Sequence, residues 1–155
     1  MERYELYRIA ISAELASQKL YTALARSFQN PETAAFFTEL VTLEKTHEEK
    51  LRRAFEDEYP GRKLGQVEAM KHQLDDLDFS DPQALLDYAI SREDAARDHY
   101  LAFAAETQDG QMKQMLLRFA EEEEGHKTLL QTETQRLLGA LQWFDPSELA
   151  GFMDD

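Results

Sequence analysis

Apolar residues recur at heptad-like spacing along four stretches of this chain, the mark of helices that each bury one face. The first stretch carries Tyr7, Ala10, Ser17, Tyr21, Leu24 and Phe28, and the second Phe37, Leu40, Leu51 and Phe55. The third carries Leu86, Ala89, Ala96, Tyr100 and Phe103, and the fourth Met112, Leu116, Phe119 and Leu130. Asn30-Pro31 closes a first helix over about residues 3–29 and gives the second, over 31–58, a cap and a first-turn proline. Tyr59-Pro60-Gly61 stops that helix. Ser80-Asp81-Pro82-Gln83 reads as a capping box opening a third helix to about Thr107. Asp109-Gly110 breaks the chain before a fourth helix to about Leu141, and Asp145-Pro146-Ser147-Glu148 caps a short fifth. The pattern predicts one all-α domain: helical hairpins over about 3–58 and 81–141, a crossover over 59–80 and a C-terminal segment over 142–155.

The stripes have gaps, filled by residues that do not belong in a core. Glu14, Glu44, His47, Glu93, Glu123 and His126 all hold core register. They come in two matching sets, because the halves of the chain echo one another. Ala10-Ile11-Ser12 returns as Ala89-Ile90-Ser91, Glu14 as Glu93, Tyr21 as Tyr100, Glu44 as Glu123 and His47 as His126. Each offset is the same: 93 − 14, 100 − 21, 123 − 44 and 126 − 47 all equal 79. In an antiparallel hairpin, residues equidistant from the turn share a level. The midpoint of Glu14 and Glu44 is 29 and that of Glu93 and Glu123 is 108, both beside the predicted turns. The i, i+3 spacing puts His47 beside Glu44 and His126 beside Glu123. Each tyrosine lies seven residues beyond its glutamate, ~10 Å along the axis at 1.5 Å per residue.

A two-fold axis across the bundle would bring four carboxylates and two imidazoles together. The second and third helices would then run parallel, and the chain between them must travel the bundle's length. Residues 59–80 suffice for that, extended or partly helical, with Val67, Met70, Leu74 and Leu77 offering a modest apolar face. The same length permits exchange of hairpins between two chains.

Composition sharpens the reading. Seventeen Lys and Arg stand against 31 Asp and Glu, a net charge of −14, which repels nucleic acid and anionic membranes and attracts cations. Cysteine is absent, which excludes disulfides, thiolate nucleophiles and iron–sulfur or rubredoxin-type centres. No apolar run approaches the ~20 residues of a membrane span, and the first residues carry no leader pattern, so a cytoplasmic protein is expected.

Four ionised carboxylates in a core are strongly unfavourable. Protonation could relieve the repulsion; two divalent cations would balance the charge and leave the histidines neutral. A Glu from each of two helices, with a Glu-x-x-His from each of the others, is the ligand set of di-iron and di-manganese bundles. Oxygen and nitrogen donors without thiolate suit iron or manganese better than structural zinc. A metal-free polar network would have to carry four buried carboxylates unaided.

On these residues the chain resembles the ferritin-like superfamily and, within it, the diiron domain of the rubrerythrin group, over about residues 3–141. The resemblance implies a ferritin-like four-helix bundle. It implies that Glu44 and Glu123 bridge two Fe ions (Mn being the alternative), with Glu14 and His47, and Glu93 and His126, completing the ends. It also suggests Tyr21 and Tyr100 as hydrogen-bond donors to the ligating carboxylates. The activity it implies is reduction of hydrogen peroxide or oxygen with electrons from an external donor protein, in a homodimer. Three alternatives remain: a ferroxidase of iron storage, a diiron hydroxylase, and an interaction bundle with a vestigial site.

Some positions depart from the family's patterns. Peroxidase-type rubrerythrins carry a further glutamate one turn after the third-helix ligand; Ala96 stands there, with Ser17 matching it in the first half. A bacterioferritin-type haem methionine would fall near Lys45, where none occurs, and the hairpins are about one turn shorter than those of cage-forming ferritins. Of the remaining polar residues, Glu48 and Glu122 are candidates for guiding iron inward. His99 reads as a surface residue, and His72, in the crossover, carries no signal. Trp143 and Phe144 read as closing the bundle end or a dimer contact.

Overall fold

The second, third and fourth helices start where a side chain satisfies free amide groups; the first starts without such a cap. In the computed structural model, which describes residues 2–70, 78 and 80–143, helix α1 spans Arg3–Ser27 and α2 spans Pro31–Glu58. Asn30 Oδ1 accepts from the amides of Glu32 at 2.9 Å and Thr33 at 3.3 Å, ahead of a proline that has no amide to satisfy. Helix α3 spans Pro82–Ala105 and α4 spans Gly110–Trp143. The cap of α3 is Asp81, whose Oδ1 accepts from Ala84 N at 3.1 Å, and not Ser80. Pro82 takes the first helical position, so Ser80 falls outside and bonds Asp78 instead. Asp109 caps α4 through Gln111 N and Met112 N, at 2.9 and 3.0 Å.

Helix α1 stops two residues before the expected end because Phe28 turns extended (φ −108°, ψ 130°). Its buried ring stacks on Phe37, centroids 5.7 Å apart. Helix α4 runs two residues beyond the expected Leu141. The proposed fifth helix, Leu74, Leu77, His72 and Phe144 lie outside the described residues.

Helices α1 and α2 pack as one hairpin, α3 and α4 as the other; across the bundle α1 meets α3 and α2 meets α4. Tyr21 of α1 reaches Glu93 of α3 while Tyr100 of α3 reaches Glu14 of α1, so these helices are antiparallel and α2 runs parallel to α3. The all-α bundle of two hairpins is the one the pattern predicts, and its arrangement is the ferritin-like one that the resemblance implies. The apolar stripes bury as expected, except that Ala96 is half-buried. They form two clusters. One gathers Tyr7, Ile11, Leu51, Phe55, Phe103 and Phe119; the other gathers Leu20, Leu24, Phe37, Leu40, Leu86 and Leu130. Fully burying one such side chain contributes about 1.5–3 kcal/mol. The polar residues of the stripes lie between the clusters.

The described part of the crossover runs extended along α1. Leu64 O accepts from Tyr4 Oη at 3.0 Å and from Arg8 Nη1 at 2.6 Å. Further on, Glu68 O accepts from Ser12 Oγ at 2.7 Å, and Met70 N donates to Ser12 O at 3.2 Å. The segment therefore climbs in the direction of α1, toward the end of the bundle where α3 begins. Gly61 and Gly65 adopt φ of +79° and +78°, a conformation that other residues rarely take. Val67 packs on the first cluster. Among the described residues, no helix is long and apolar enough to cross a membrane.

Candidate metal centre

Each helix turns one acidic core position to the same level, and α2 and α4 add a histidine one turn on. Glu14, Glu44, His47, Glu93, Glu123 and His126 converge there, none more than 6% exposed. They form two overlapping groups: Glu14, Glu44, His47 and Glu123, and Glu44, Glu93, Glu123 and His126. Within each group the donor atoms lie within 4.8 Å of one another, and Glu44 and Glu123 belong to both. His47 Nδ1 stands 3.2 Å from Glu123 Oε1 and 3.4 Å from Glu14 Oε1. His126 Nδ1 stands 2.8 Å from Glu44 Oε1, 3.3 Å from Glu123 Oε1 and 3.8 Å from Glu93 Oε2. The imidazoles lie nearly parallel, centroids 6.0 Å apart.

The polar atoms at the centre are close but not hydrogen-bonded. Glu14 Oε2, both oxygens of Glu44, Glu93 Oε2, both oxygens of Glu123 and the Nδ1 atoms of His47 and His126 are all buried without a hydrogen-bond partner. Buried polar atoms left in this state cost about 1–3 kcal/mol each, more where charged. Every one of them can serve as a ligand atom, so this donor set fits a pair of divalent cations.

The electrostatics point the same way. Burial, reinforced by the charge of Glu14, pushes the Glu44 carboxyl up to about 7. Burial also raises Glu93 well above the carboxylate range, helped by Glu123 and Glu44. Burial works against a charged His47, but Glu123 and Glu14 outweigh it and hold the ring up to about 12. His126 is held at about 9, burial again being outweighed by Glu123 and Glu44. Without metal the cluster thus retains protons that bound cations would displace.

Both tyrosines reach the centre, each from the opposite hairpin. Tyr21 Oη donates to Glu93 Oε1 and Tyr100 Oη donates to Glu14 Oε1. Burial, followed by the charge of the accepting glutamate, raises both phenols well above their usual value, so they remain donors. Ser17 and Ala96 follow Glu14 and Glu93 by one turn, and neither brings a further carboxylate.

Glu122, read from the sequence as a candidate for guiding iron inward, makes a contact that reading did not include. Its Oε2 lies 2.5 Å from His47 Nε2, on the side of the ring away from the centre. Register could have found it: 44 and 126 pair across α2 and α4 with a sum of 170, and 47 with 122 sums to 169. Glu48 is held by Gln18 Nε2 at 2.9 Å and Arg52 Nε at 2.8 Å. His99, expected at the surface, is half-buried in the α3 flank, where burial and then Arg92 lower its pKa. Trp143 ends α4.

A family model described as Rubrerythrin matches residues 5–77 and 84–149. Among solved structures, a hypothetical protein from Pyrococcus furiosus is similar at 24% identity and a TM-score of 0.76, covering 90% of this chain and 92% of its own. An uncharacterized conserved protein from Magnetospirillum magnetotacticum is similar at 21% identity and a TM-score of 0.69, covering 88% of this chain and 95% of its own. At these identities the likeness is one of fold. No curated protein matches.

Proposed function

The chain belongs to the rubrerythrin family, and from that premise we propose that it is a non-haem diiron oxidoreductase reducing hydrogen peroxide or oxygen with electrons from an external donor. The observation that carries the reading is the pair of four-residue groups sharing Glu44 and Glu123. Glu14 and His47 would hold one ion, Glu93 and His126 the other, and the two shared carboxylates would span both. Their oxygen and nitrogen donors suit iron, with manganese the alternative. A ferrous pair held there supplies two electrons, the number that reduces H2O2 and two protons to two waters.

The chain's own residues do the rest. The two apolar clusters, above and below the centre, keep bulk water from it. Tyr21 and Tyr100 hold Glu93 and Glu14 in place through their hydroxyls, fixing carboxylates that must stay aimed at the ions. The acidic residues of the chain outnumber the basic ones even with the four buried glutamates set aside, and such a surface favours a basic face on the electron donor.

A second reading, a ferroxidase for which Fe(II) is the substrate, rests on Ser17 and Ala96. With no extra carboxylate at either position, the six-residue set is symmetrical and has no added ligand to exchange as the irons change oxidation state. Anaerobic ferrous loading of the full chain, followed by peroxide or oxygen, separates the two. About two irons per chain, oxidised faster by peroxide and re-reducible for further turnovers, supports the oxidoreductase. Oxygen-preferring oxidation that continues with added iron supports the ferroxidase. Failure to bind metal would refute both.

A further inference from the structure

The 79-residue repeat makes the two halves of the centre comparable position by position, and they differ most around their histidines. His47 is fixed on two sides. Its ring lies against Phe119, centroids 4.2 Å apart at 26°, and its Nε2 meets Glu122 Oε2 at 2.5 Å. The repeat carries Phe119 back to Leu40 (119 − 79 = 40) and Glu122 back to Leu43 (122 − 79 = 43). A leucine accepts no hydrogen bond. Among the described residues, the only polar partners of His126 are the carboxylates facing its Nδ1.

We propose that Glu122 makes the two metal positions unequal. A divalent cation binds first, and more tightly, at Glu14, Glu44, His47 and Glu123; the position at Glu44, Glu93, Glu123 and His126 fills second. The inference rests on the metal-centre reading above and extends it to the order of loading. With Nδ1 turned to the centre, the proton of a neutral His47 sits on Nε2, and Nε2 donates it to Glu122. A carboxylate in that place fixes the tautomer, holds the ring and makes Nδ1 a stronger base; losing such a partner costs 10–100-fold in metal affinity. Phe119 restrains the same ring by packing. His126 keeps a ligating nitrogen but lacks this support, so its ion is the exchangeable one. Glu122 is a positioning residue, acting through His47.

The test is a cobalt(II) titration of the metal-free full-length chain, followed by calorimetry and visible absorption. Wild type should bind in two steps whose affinities differ about tenfold or more. His126→Ala should remove the weaker step and His47→Ala the tighter. Glu122→Leu should lower the tighter step about 10–100-fold and leave the weaker within about threefold. Glu122→Gln, whose amide oxygen still accepts from Nε2, should fall between, and Leu43→Glu should tighten the weaker step. Glu122 is partly exposed and Leu43 exposed, so the substitutions at these two positions leave the core intact. Two equal sites in wild type would overturn the inference, as would a Glu122→Leu variant that weakens both steps alike or neither. Loss of the tighter step in His126→Ala would also overturn it. If no cobalt binds, the centre itself falls with it. Two unequal steps in a protein whose iron-loaded form neither peroxide nor oxygen oxidises would leave this inference standing and refute only the redox reading.

Discussion

Glu44→Leu puts an apolar side chain of similar volume where a fully buried carboxylate now has two oxygens without hydrogen bonds. In metal-free protein the substitution removes a desolvated group that repels Glu14. Replacing a buried ion pair by apolar residues of similar size is neutral or stabilising, by about 1–4 kcal/mol. His126 loses Glu44 at 2.8 Å but keeps Glu123 at 3.3 Å as its partner, so the gain should lie at the low end of that range. For a chain of this length that is roughly 2–4 °C in melting temperature for each kcal/mol. The gain should depend on pH. Glu44 is held at about 7 in the fold against an ordinary value of 4.5, so between those values the folded state binds more protons than the unfolded one. Wild-type stability therefore falls as pH rises through that window. Chelator-treated Glu44→Leu should out-melt chelator-treated wild type by more at pH 8 than at pH 5. With metal the order should reverse. A ligand at one hundred times its dissociation constant stabilises by about 2.7 kcal/mol, which the variant, lacking a carboxylate shared by both positions, should not gain. Thermal melts of both proteins, with chelator and with saturating metal, check this. A variant less stable than wild type in both states would refute the idea that Glu44 costs stability and is kept for metal.

Tyr100→Phe removes the hydroxyl that holds Glu14 and should weaken metal binding about 10–100-fold in a chelator competition, while far-UV circular dichroism stays unchanged. Gly125 lies within α4, and a Cβ there would meet nothing within 4 Å, so Gly125→Ala should raise stability by about 0.5–1 kcal/mol in urea unfolding with cobalt affinity unmoved. Phe55→Ala opens the first apolar cluster and should cost about 3–5 kcal/mol by the same assay. Glu58 is held below the usual carboxylate range, mainly by Arg3, so it binds fewer protons folded than unfolded and its contribution is lost as pH falls below about 4.5; Glu58→Gln should flatten that part of the acid-unfolding curve.

The convergence of the six polar residues was legible because two signals coincided: core register within each helix and a constant offset between halves. Neither signal says how one hairpin sits on the other. Tyr21 and Tyr100 could be named, yet their acceptors lie across the bundle, set by packing between hairpins that no local period records. The third-helix start offered two adjacent caps, and Pro82 in the first helical position selected Asp81 over Ser80. Glu122 could be named as a guide for iron, but its contact with His47 is set by the packing of α4 on α2, which no local period records. Tyr4, Arg8 and Ser12 carried no signal at all, because their partners are main-chain carbonyls some 56 to 60 residues away.

Those last contacts bear on how the protein can change over generations. Arg8 and Ser12 grip the crossover through the carbonyls of Leu64, Gln66 and Glu68, and Met70 replies with its own amide. Every amino acid offers that carbonyl. Exposed side chains such as Gln66 and Glu68 can therefore drift without loosening the strap, whereas a single inserted or deleted residue would carry the carbonyls past their donors. At its exposed positions between Gly61 and Met70 the protein is permissive in spelling and strict in length, while Gly65 keeps its positive φ and Leu64 and Val67 their packing.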